Sequence, residues 1–307
     1  MAKWNLKDMP DLKGKTIIVT GANSGLGFEA VRAFAQKNAN VILASRDMYR
    51  GEQARSRIVK EHAGARIDVM QLDLGDLKLI RSFTDAFQKQ YDRLDVLLNN
   101  AGIMMCPYTE TKDGFESQMG VNHLGHFALT ALLFDVLKQT NNSRIVNVSS
   151  TGHRNAKWDS ENAMFNRNNY NPMQAYFNSK HANLLFTYEL QRRIETQGLN
   201  MISVAAHPGG SVTNLARHVE KGLIFRLLKP FLYPLTQSAA QGTLPEVRAS
   251  VDPSVQGGEY YGPKSMGGTR GDPVIVSSTE ASHNCDDAKK LWTDSEKLTG
   301  INFKVAV

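Results

Sequence analysis

Tyr176 and Lys180 carry side chains that could do proton chemistry, and they stand four residues apart. Apolar residues continue at helical spacing to Leu190, so both side chains are predicted to lie on one face of a helix. An ammonium next to a phenol stabilises the phenolate and lowers the phenol pKa from its usual value of about 10. A tyrosine in this setting can exchange a proton with a carbonyl or alcohol oxygen. The alternative for an isolated pair is two exposed side chains without a catalytic role.

Three glycines follow the first predicted strand. Thr16–Thr20 is rich in β-branched residues, and Gly21, Gly25 and Gly27 come next in a G-x-x-x-G-x-G spacing that leads into a predicted helix. Positions without a side chain let backbone N–H groups approach a pyrophosphate at the positive end of a helix dipole. The turn therefore predicts a dinucleotide site, with an ordinary strand-to-helix turn as the alternative.

The end of the second predicted strand bears on the type of cofactor. Asn40–Arg46 is predicted as a buried strand that ends in a basic residue, and an acid, Asp47, comes one place later. An arginine at this end can pair with the 2′-phosphate of NADP, whereas an acid would bind the ribose hydroxyls of NAD. We therefore expect NADP(H) to be preferred over NAD(H). The alternative is a surface arginine at a strand end.

Three further strand ends carry polar or small residues. Asp73 and Leu74 follow a third strand, and Asp73 could bind the adenine amino group or begin the next helix. Asn99–Gly102 forms a small, amide-rich turn after a fourth strand, and Ser150 ends a fifth. The carboxyl ends of parallel strands meet at one edge of a sheet, so we expect these residues to share a site.

The alternation of strands and helices predicts the fold class. With Gly258–Pro263 as a last strand, we expect about seven strands, parallel and with right-handed crossovers. This is an α/β fold: a Rossmann-like, doubly wound parallel sheet with helices on both faces. No linker divides the 307 residues, so we expect one domain over residues 1–307, with 14–213 as its cofactor-binding and catalytic core.

The composition argues against several other classes of protein. The net charge is +6, but the basic residues are scattered, so we expect no nucleic-acid partner. Cys106 and Cys285 are far apart, which indicates a reducing compartment. The N-terminus is polar and no apolar run reaches about 18 residues, so we expect a cytoplasmic protein without an integral membrane segment. His123 and His126 lack further ligands nearby in the sequence, so we expect no metal.

Taken together, these motifs resemble the short-chain dehydrogenase/reductase family. They occur in the family's order: Thr20-Gly21-x-x-x-Gly25-x-Gly27, Asn99-Asn100-Ala101-Gly102, Asn122 in a helix, Ser150, and Tyr176-x-x-x-Lys180. The resemblance covers Lys13 to about Thr213. Residues 121–127 and the 176 − 150 = 26 positions from serine to tyrosine are similar to the retinol dehydrogenase and protochlorophyllide reductase branch.

The resemblance implies a catalytic tetrad of Asn122, Ser150, Tyr176 and Lys180. Tyr176 would be the general acid in reduction, and Ser150 would orient the substrate oxygen. Lys180 would lower the tyrosine pKa and hold the nicotinamide ribose, and Asn122 would anchor a water that relays protons to Lys180. Ser149 is the adjacent alternative to Ser150.

The cofactor would lie along the carboxyl edge of the sheet. In the family, the turn at Pro208 and Gly209 and a following threonine close over the nicotinamide amide. The residues expected to bind the cofactor are Gly21, Asn23, Ser24, Gly25, Leu26, Gly27, Ser45, Arg46, Asp73, Leu74, Asn99, Ala101, Gly102, Tyr176, Lys180, Pro208, Gly209 and Thr213.

The segment 214–240 is rich in apolar residues and is interrupted by Pro230 and Pro234. We interpret it as a substrate lid, and its apolar content favours an apolar or aromatic substrate. The same composition fits a structural helix pair, a subunit contact or a peripheral membrane contact.

The sequence therefore predicts an NADP(H)-dependent oxidoreductase that interconverts a ketone or aldehyde and an alcohol. The resemblance allows a homodimer or a homotetramer. The alternative is a catalytically silent family member that senses nucleotide or binds a ligand.

Overall fold

The computed structural model describes residues 3–210 and 237–305. Thr213 and residues 214–236 of the predicted lid lie outside this described part. The described strands form one eight-stranded sheet in the order β3-β2-β1-β4-β5-β6-β7-β8. Their bounds are β1 Thr16–Thr20, β2 Asn40–Ser45, β3 Arg66–Gln71, β4 Val96–Asn99, β5 Ser143–Val148, β6 Met201–Ala206, β7 Tyr260–Ser265 and β8 Arg270–Ile275.

The sheet is parallel from β3 to β7, as the sequence predicts, and it confirms the doubly wound fold. The order reverses between β1 and β4, and a crevice at their carboxyl ends is where such sheets bind ligands. The prediction of about seven strands misses β8, which pairs antiparallel with β7. β8 contains Gly271 and Pro273, which weaken a strand signal but are tolerated at the edge of a sheet.

Helices connect the strands and cover both faces of the sheet. The helices of the described residues are α1 Gly25–Gln36, α2 Met48–Glu61, α3 Leu77–Gln90, α4 Ser117–Met119, α5 Gly125–Leu132, α6 Phe134–Gln139, α7 Pro172–Thr196, α8 Ala239–Gly242, α9 Leu244–Val251 and α10 Cys285–Thr299. A π-helical turn, Gly120–Leu124, joins α4 to α5.

Each face of the sheet has its own apolar core. Ile17 and Val19 of β1 belong to the core under α1, α2 and α9, whereas Ile18 belongs to the core under α3, α5, α7 and α10. This alternation follows from the two-residue period of a strand. Because both faces are covered, the central strands read as continuous apolar runs.

The segment Ser117–Gln139 is, among the described residues, the helical stretch long and apolar enough to cross a membrane. Seventy-eight per cent of its most apolar window is buried inside the fold. Burial of this extent is typical of a core helix in a globular domain.

Candidate functional site

A cleft of about 650 Å³ lies at the carboxyl ends of the central strands. Arg46 and Arg50 line one end of it, the glycine turn lines the middle, and Tyr176 and Lys180 line the other end. Of the residues predicted to bind a cofactor, the lining contains Gly21, Asn23, Ser24, Gly25, Leu26, Gly27, Arg46, Asp73, Leu74, Ala101, Gly102, Tyr176, Lys180 and Pro208.

Three other predicted cofactor residues lie outside this lining. Ser45 is buried and its hydroxyl donates to the Asp47 carbonyl. Asn99 is buried too, and its amide donates to Thr130 and Asn147 in the core. Gly209 lies beyond Pro208, with a left-handed φ of +65° against the Thr269 backbone.

The structure places Asn100, not Asn99, at the cleft. Asn100 is the next residue after β4, so its side chain points to the other side of the strand. Its Nδ2 donates to the Thr20 carbonyl at 2.6 Å, which ties the end of β4 to the glycine turn. Because side chains alternate along a strand, the sequence indicates that only one of the two asparagines faces the cleft. Deciding which one requires the exact end of β4.

The glycine turn leaves room that a side chain would fill. Gly21 and Gly25 adopt left-handed φ values of +64° and +59°. A Cβ on Gly27 would lie 2.6 Å from Asn100 Nδ2 and 2.8 Å from the Gly21 carbonyl. The turn therefore needs glycine for both conformation and space.

The start of α1 is open to an anion. Asp47, Asp76, Asn171 and Asn284 cap the first turns of α2, α3, α7 and α10 with side-chain oxygens. Ser24 makes no such hydrogen bond at the start of α1 within the described residues. The N–H groups at this end of α1 are thus available to a pyrophosphate, and the residues present fit a dinucleotide.

The end of the cleft next to β2 carries positive charge from Arg46 and Arg50. Asp47 also lines it, but its carboxylate caps α2 through the Arg50 N–H and lies 3.4 Å from Arg50 Nε. Asp73 lines the cleft while its Oδ1 accepts from the Gly75 N–H. Asp76, not Asp73, caps α3, so the reading of Asp73 as the helix start is wrong.

Ser150 and Tyr176 lie next to each other. The Ser150 hydroxyl lowers the pKa of the Tyr176 phenol, and Gly152 N–H donates to Ser150 Oγ at 3.1 Å. Ser149 instead donates its hydroxyl to the Lys180 carbonyl at 2.7 Å and is buried. Of the two adjacent serines, Ser150 is the one that acts on the Tyr176 phenol, whereas Ser149 is the one that lines the cleft.

Burial, and not Lys180, determines the direction in which the pKa of Tyr176 is shifted. Burial raises the pKa of the Tyr176 phenol, and the hydrogen bond with Ser150 offsets part of this. Lys180 Nζ donates to the Val148 carbonyl at 3.0 Å and lies 5.8 Å from the tyrosine ring centre. Burial lowers the pKa of Lys180 to about 8. The expected lowering of the tyrosine pKa by this ammonium is thus not found in the described structure.

Asn122 lies in the π-helical turn and holds the neighbouring loop. Its Oδ1 accepts from Ile103 N–H at 2.8 Å, and its Nδ2 donates to the Ile103 carbonyl and to Ser179 Oγ, both at 2.9 Å. A Cβ on Gly102 would lie 3.3 Å from Asn122 Oδ1 and 3.5 Å from Lys180 Nζ. Asn122 and Lys180 therefore converge on the backbone of Gly102.

The two histidines of this segment are occupied by other bonds. His126 Nε2 lies 2.9 Å from Thr20 Oγ1, and His123 Nε2 lies 2.9 Å from Ser295 Oγ. Burial lowers the pKa of His126 to about 4 and that of His123 to about 3, so both rings are neutral. Residues 3–210 and 237–305 contain no group of three or more potential metal ligands.

Comparison with known proteins identifies relatives that span nearly the whole chain. A family model described as short chain dehydrogenase matches residues 15–223. Human retinol dehydrogenase 12 is 37% identical over 95% of this chain and 89% of its own length. Human retinol dehydrogenase 13 is 38% identical over 94% and 86%, and human retinol dehydrogenase 11 is 44% identical over 76% and 72%.

Solved structures show the same fold. An uncharacterised protein from Mycobacterium paratuberculosis is 38% identical, covers 98% of this chain and 99% of its own, and superposes with a TM-score of 0.81. The RhlG/NADP complex of Pseudomonas aeruginosa is 18% identical, covers 81% and 94%, and has a TM-score of 0.65. At that identity the second likeness concerns the fold alone.

The expected cytoplasmic location is wrong in the light of these relatives. Retinol dehydrogenases 11 to 14 are membrane-associated enzymes. Polar N-terminal residues and the lack of a long apolar run were the grounds for the prediction, and neither tests for a peripheral contact with a membrane.

Proposed function

The chain belongs to the short-chain dehydrogenase family of oxidoreductases, and from this premise we propose that it uses NADP(H) to interconvert a carbonyl compound and an alcohol. The observation that carries the proposal is one continuous cleft. It begins at Arg46, passes the glycine turn and ends at Tyr176 and Lys180. When bound there, the nicotinamide supplies or accepts the hydride.

Tyr176 is proposed as the acid and base of the reaction. Its raised pKa keeps the phenol protonated near neutrality, which suits the donation of a proton to a carbonyl oxygen during reduction. The Ser150 hydroxyl lies beside the phenol, and Gly152 N–H donates to Ser150 Oγ. Two aligned hydroxyls can stabilise negative charge as it develops on the substrate oxygen.

Lys180 and Asn122 are proposed to support this pair. Lys180 places a charge beside the tyrosine and, in our proposal, binds the hydroxyls of the nicotinamide ribose. Asn122 fixes the loop at Ile103 and the hydroxyl of Ser179. By this arrangement it holds α7 and the turn after β4 at a constant separation.

An apolar substrate is proposed on two grounds. The relatives at 37–44% identity are named for retinol, which is an apolar alcohol. The segment 214–240 is also rich in apolar residues, and we propose it as the lid. The apolar end of the substrate would then be held away from water, with its oxygen at Ser150 and Tyr176.

Cofactor fluorescence and turnover test the proposal in one preparation. The protein is titrated with NADPH and with NADH, and aromatic, aliphatic and polyene aldehydes are then added. Tyr176→Phe should bind NADPH as the unmodified protein does and lose turnover by about 100-fold or more. Tyr188→Phe is the matched control, because Tyr188 lies on the same helix and bonds Ser278 outside the cleft. Retained turnover in Tyr176→Phe would contradict the assignment, and nucleotide binding without turnover of any carbonyl would favour a silent ligand-binding member.

A further inference from the structure

Gln118 is a buried amide on α4 that joins the loop after β4 to the start of α7. The residue is 0% exposed. Its Oε1 accepts from the Met105 N–H at 2.7 Å, and its Nε2 donates to the Pro172 carbonyl at 2.8 Å. An N–H group only donates and a carbonyl only accepts, so these two partners fix the orientation of the amide.

On the loop side, Gln118 and Asn122 hold the positions before and after Met104, which lines the cleft. Asn122 bonds both the N–H and the carbonyl of Ile103, and Gln118 bonds the N–H of Met105. Met105 has a left-handed φ of +50°, a conformation that residues other than glycine rarely adopt. Such a conformation persists where its surroundings hold it, and the bond to Gln118 is one such support.

On the α7 side, the same two amides hold the positions before and after Tyr176. Gln118 bonds the Pro172 carbonyl four residues before the tyrosine, and Asn122 bonds Ser179 three residues after it. In an α-helix the carbonyl of residue i accepts the N–H of residue i+4, so the Pro172 carbonyl also accepts the N–H of Tyr176. The amide of Gln118 therefore contacts the carbonyl to which the backbone of Tyr176 is bonded.

Tyr170 completes this junction from the segment before α7. Its hydroxyl accepts from Gln118 Nε2 at 2.7 Å and donates to the Cys106 carbonyl at 2.8 Å. Its ring packs edge-on against Tyr108, with ring centres 5.3 Å apart. Both N–H donors of the Gln118 amide are thus engaged, one by Tyr170 and the other by the start of α7.

We propose that Gln118 is a positioning residue that fixes the separation between Met104 and Tyr176, and with it the geometry in which a substrate carbonyl meets the tyrosine. The proposal rests on the function proposed above for Tyr176. Gln118 is fully buried and lies outside the lining of the cleft, so it acts through the residues that it holds. A misplacement of about 1 Å at a reacting centre can lower a rate by roughly 100-fold.

Gln118→Met tests this role, because it keeps the length of the side chain and removes its hydrogen bonds. The kcat/KM for a carbonyl compound should fall by about 10- to 100-fold, mostly in kcat, while the Kd of NADPH changes by less than about threefold. Gln191→Met is the matched control, because Gln191 is also a buried amide whose Oε1 accepts a backbone N–H, that of Ser203, but it lies outside the cleft lining. A loss of kcat/KM that is equal in the two variants would overturn the proposal.

Gln118→Glu adds a signature in the pH profile. A carboxylate at this position accepts from the Met105 N–H but cannot donate to the Pro172 carbonyl, whereas the neutral acid donates through its O–H. Burial raises the pKa of a carboxyl group, and the neighbouring Glu116 carboxylate, which caps α4, raises it further. The activity of Gln118→Glu relative to the unmodified protein should therefore rise from pH 9 to pH 6, above that of Gln118→Met. Equal impairment of the two variants at pH 6 would contradict a role of these hydrogen bonds.

The reactivity of the Cys106 thiol tests the junction without substrate or cofactor. Cys106 is buried and its carbonyl is bonded by Tyr170, so opening of the loop exposes the thiol. A Cys285→Ser background removes the exposed thiol. In that background, modification by an aromatic disulfide reagent should be about tenfold faster in Gln118→Met and unchanged in Gln191→Met.

The thiol measurement distinguishes failure of this proposal from failure of the proposed function. A modification rate in Gln118→Met equal to that of the unmodified protein would show that Gln118 does not hold the loop, and the proposal would fail. If the unmodified protein turned over no carbonyl or alcohol while Gln118→Met exposed the thiol, the proposed function would fail and the junction at Gln118 would stand.

Discussion

Arg46 lies where its guanidinium could bind a phosphate group of a ligand in the cleft. It lines the cleft directly after β2, where we propose that the adenosine lies, and its neighbour Asp47 is held by the cap of α2 and by Arg50. An arginine can bind a phosphate with two parallel hydrogen bonds, whereas a ribose hydroxyl offers it no charge. Any difference in affinity between NADPH and NADH therefore depends on whether the Arg46 guanidinium binds the 2′-phosphate.

Arg46→Ala should weaken NADPH binding by about 10- to 100-fold and leave NADH nearly unchanged, since hydrogen bonds to charged groups contribute roughly 1.5–3 kcal/mol. The measurement is fluorescence titration with both nucleotides. Arg55→Ala is the matched control, because Arg55 pairs with Glu52 on α2 and lies outside the cleft lining. An equal loss for both nucleotides would contradict the NADP preference.

Prediction of single residues succeeded where a residue type has one dominant structural use. It failed where the direction of a side chain decides whether the residue reaches the cleft. Glycines in a fixed spacing point to the turn itself, and the described turn lies where expected. Asn99 and Asn100 share the same chemistry, and only the exact register of β4 turns one inward and the other to the cleft. Gln118 carries no local sequence signal at all, because its side-chain partners lie 13 to 54 residues away in the sequence.

At the scale of elements, the glycine turn and the first turn of α1 act as one unit. Gly27 packs against Asn100 and Gly21, so the end of β4 closes on the start of α1. The same closeness leaves the N–H groups of the turn facing the cleft. A side chain at Gly27 has to displace the backbone of Gly21 and Ala22 as well as the Asn100 side chain.

Gly27→Ala should therefore destabilise the fold by about 2–4 kcal/mol and abolish nucleotide binding. Urea unfolding gives the first quantity, and fluorescence titration gives the second. Gly64→Ala is the control, because a Cβ there meets one atom at 3.8 Å and the residue has no left-handed φ. Wild-type stability in Gly27→Ala would show that the turn can open, contrary to this packing.

The helix predicted after β4 shows which interruptions a sequence pattern does not predict. The helical period predicts Phe115 to Lys138 as one helix, and the structure divides it at the π turn Gly120–Leu124 and again at Leu133. Within the π turn, Asn122 accepts a hydrogen bond from Ile103, a partner 19 residues away. A contact between residues so far apart in the sequence does not change the helical spacing of apolar residues, so that spacing cannot predict it.

Buried imidazoles bear on the acid stability of the whole molecule. Among the described residues, five histidines are at most 2% exposed and have pKa values lowered mainly by burial: His123 to about 3, His126 to about 4, His181 to about 4, His207 to about 3, and His153. In the unfolded chain each imidazole regains a pKa of about 6.5. The unfolded state therefore binds more protons than the folded state in mild acid.

The sign of the effect follows from linkage. The stabilising contribution of a histidine with a lowered pKa is full above about pH 6.5 and is lost as pH falls towards about 4. We expect the urea midpoint to drop steeply between pH 7.5 and pH 4.5, with a net uptake of protons on unfolding near pH 5. The raised pKa of the buried Glu246 carboxyl acts in the opposite direction over this range, but one carboxyl is outweighed by five imidazoles.

His181→Leu isolates one of these contributions. Neither ring nitrogen of His181 has a hydrogen-bond partner within the described residues, so leucine removes the titration without removing a bond. The variant should take up about one proton fewer on unfolding and be roughly 2 kcal/mol less sensitive to the change from pH 7.5 to pH 4.5. Urea unfolding of both proteins across this range gives the difference directly. A pH dependence identical to that of the unmodified protein would mean that His181 is charged, or reached by water, in the folded state.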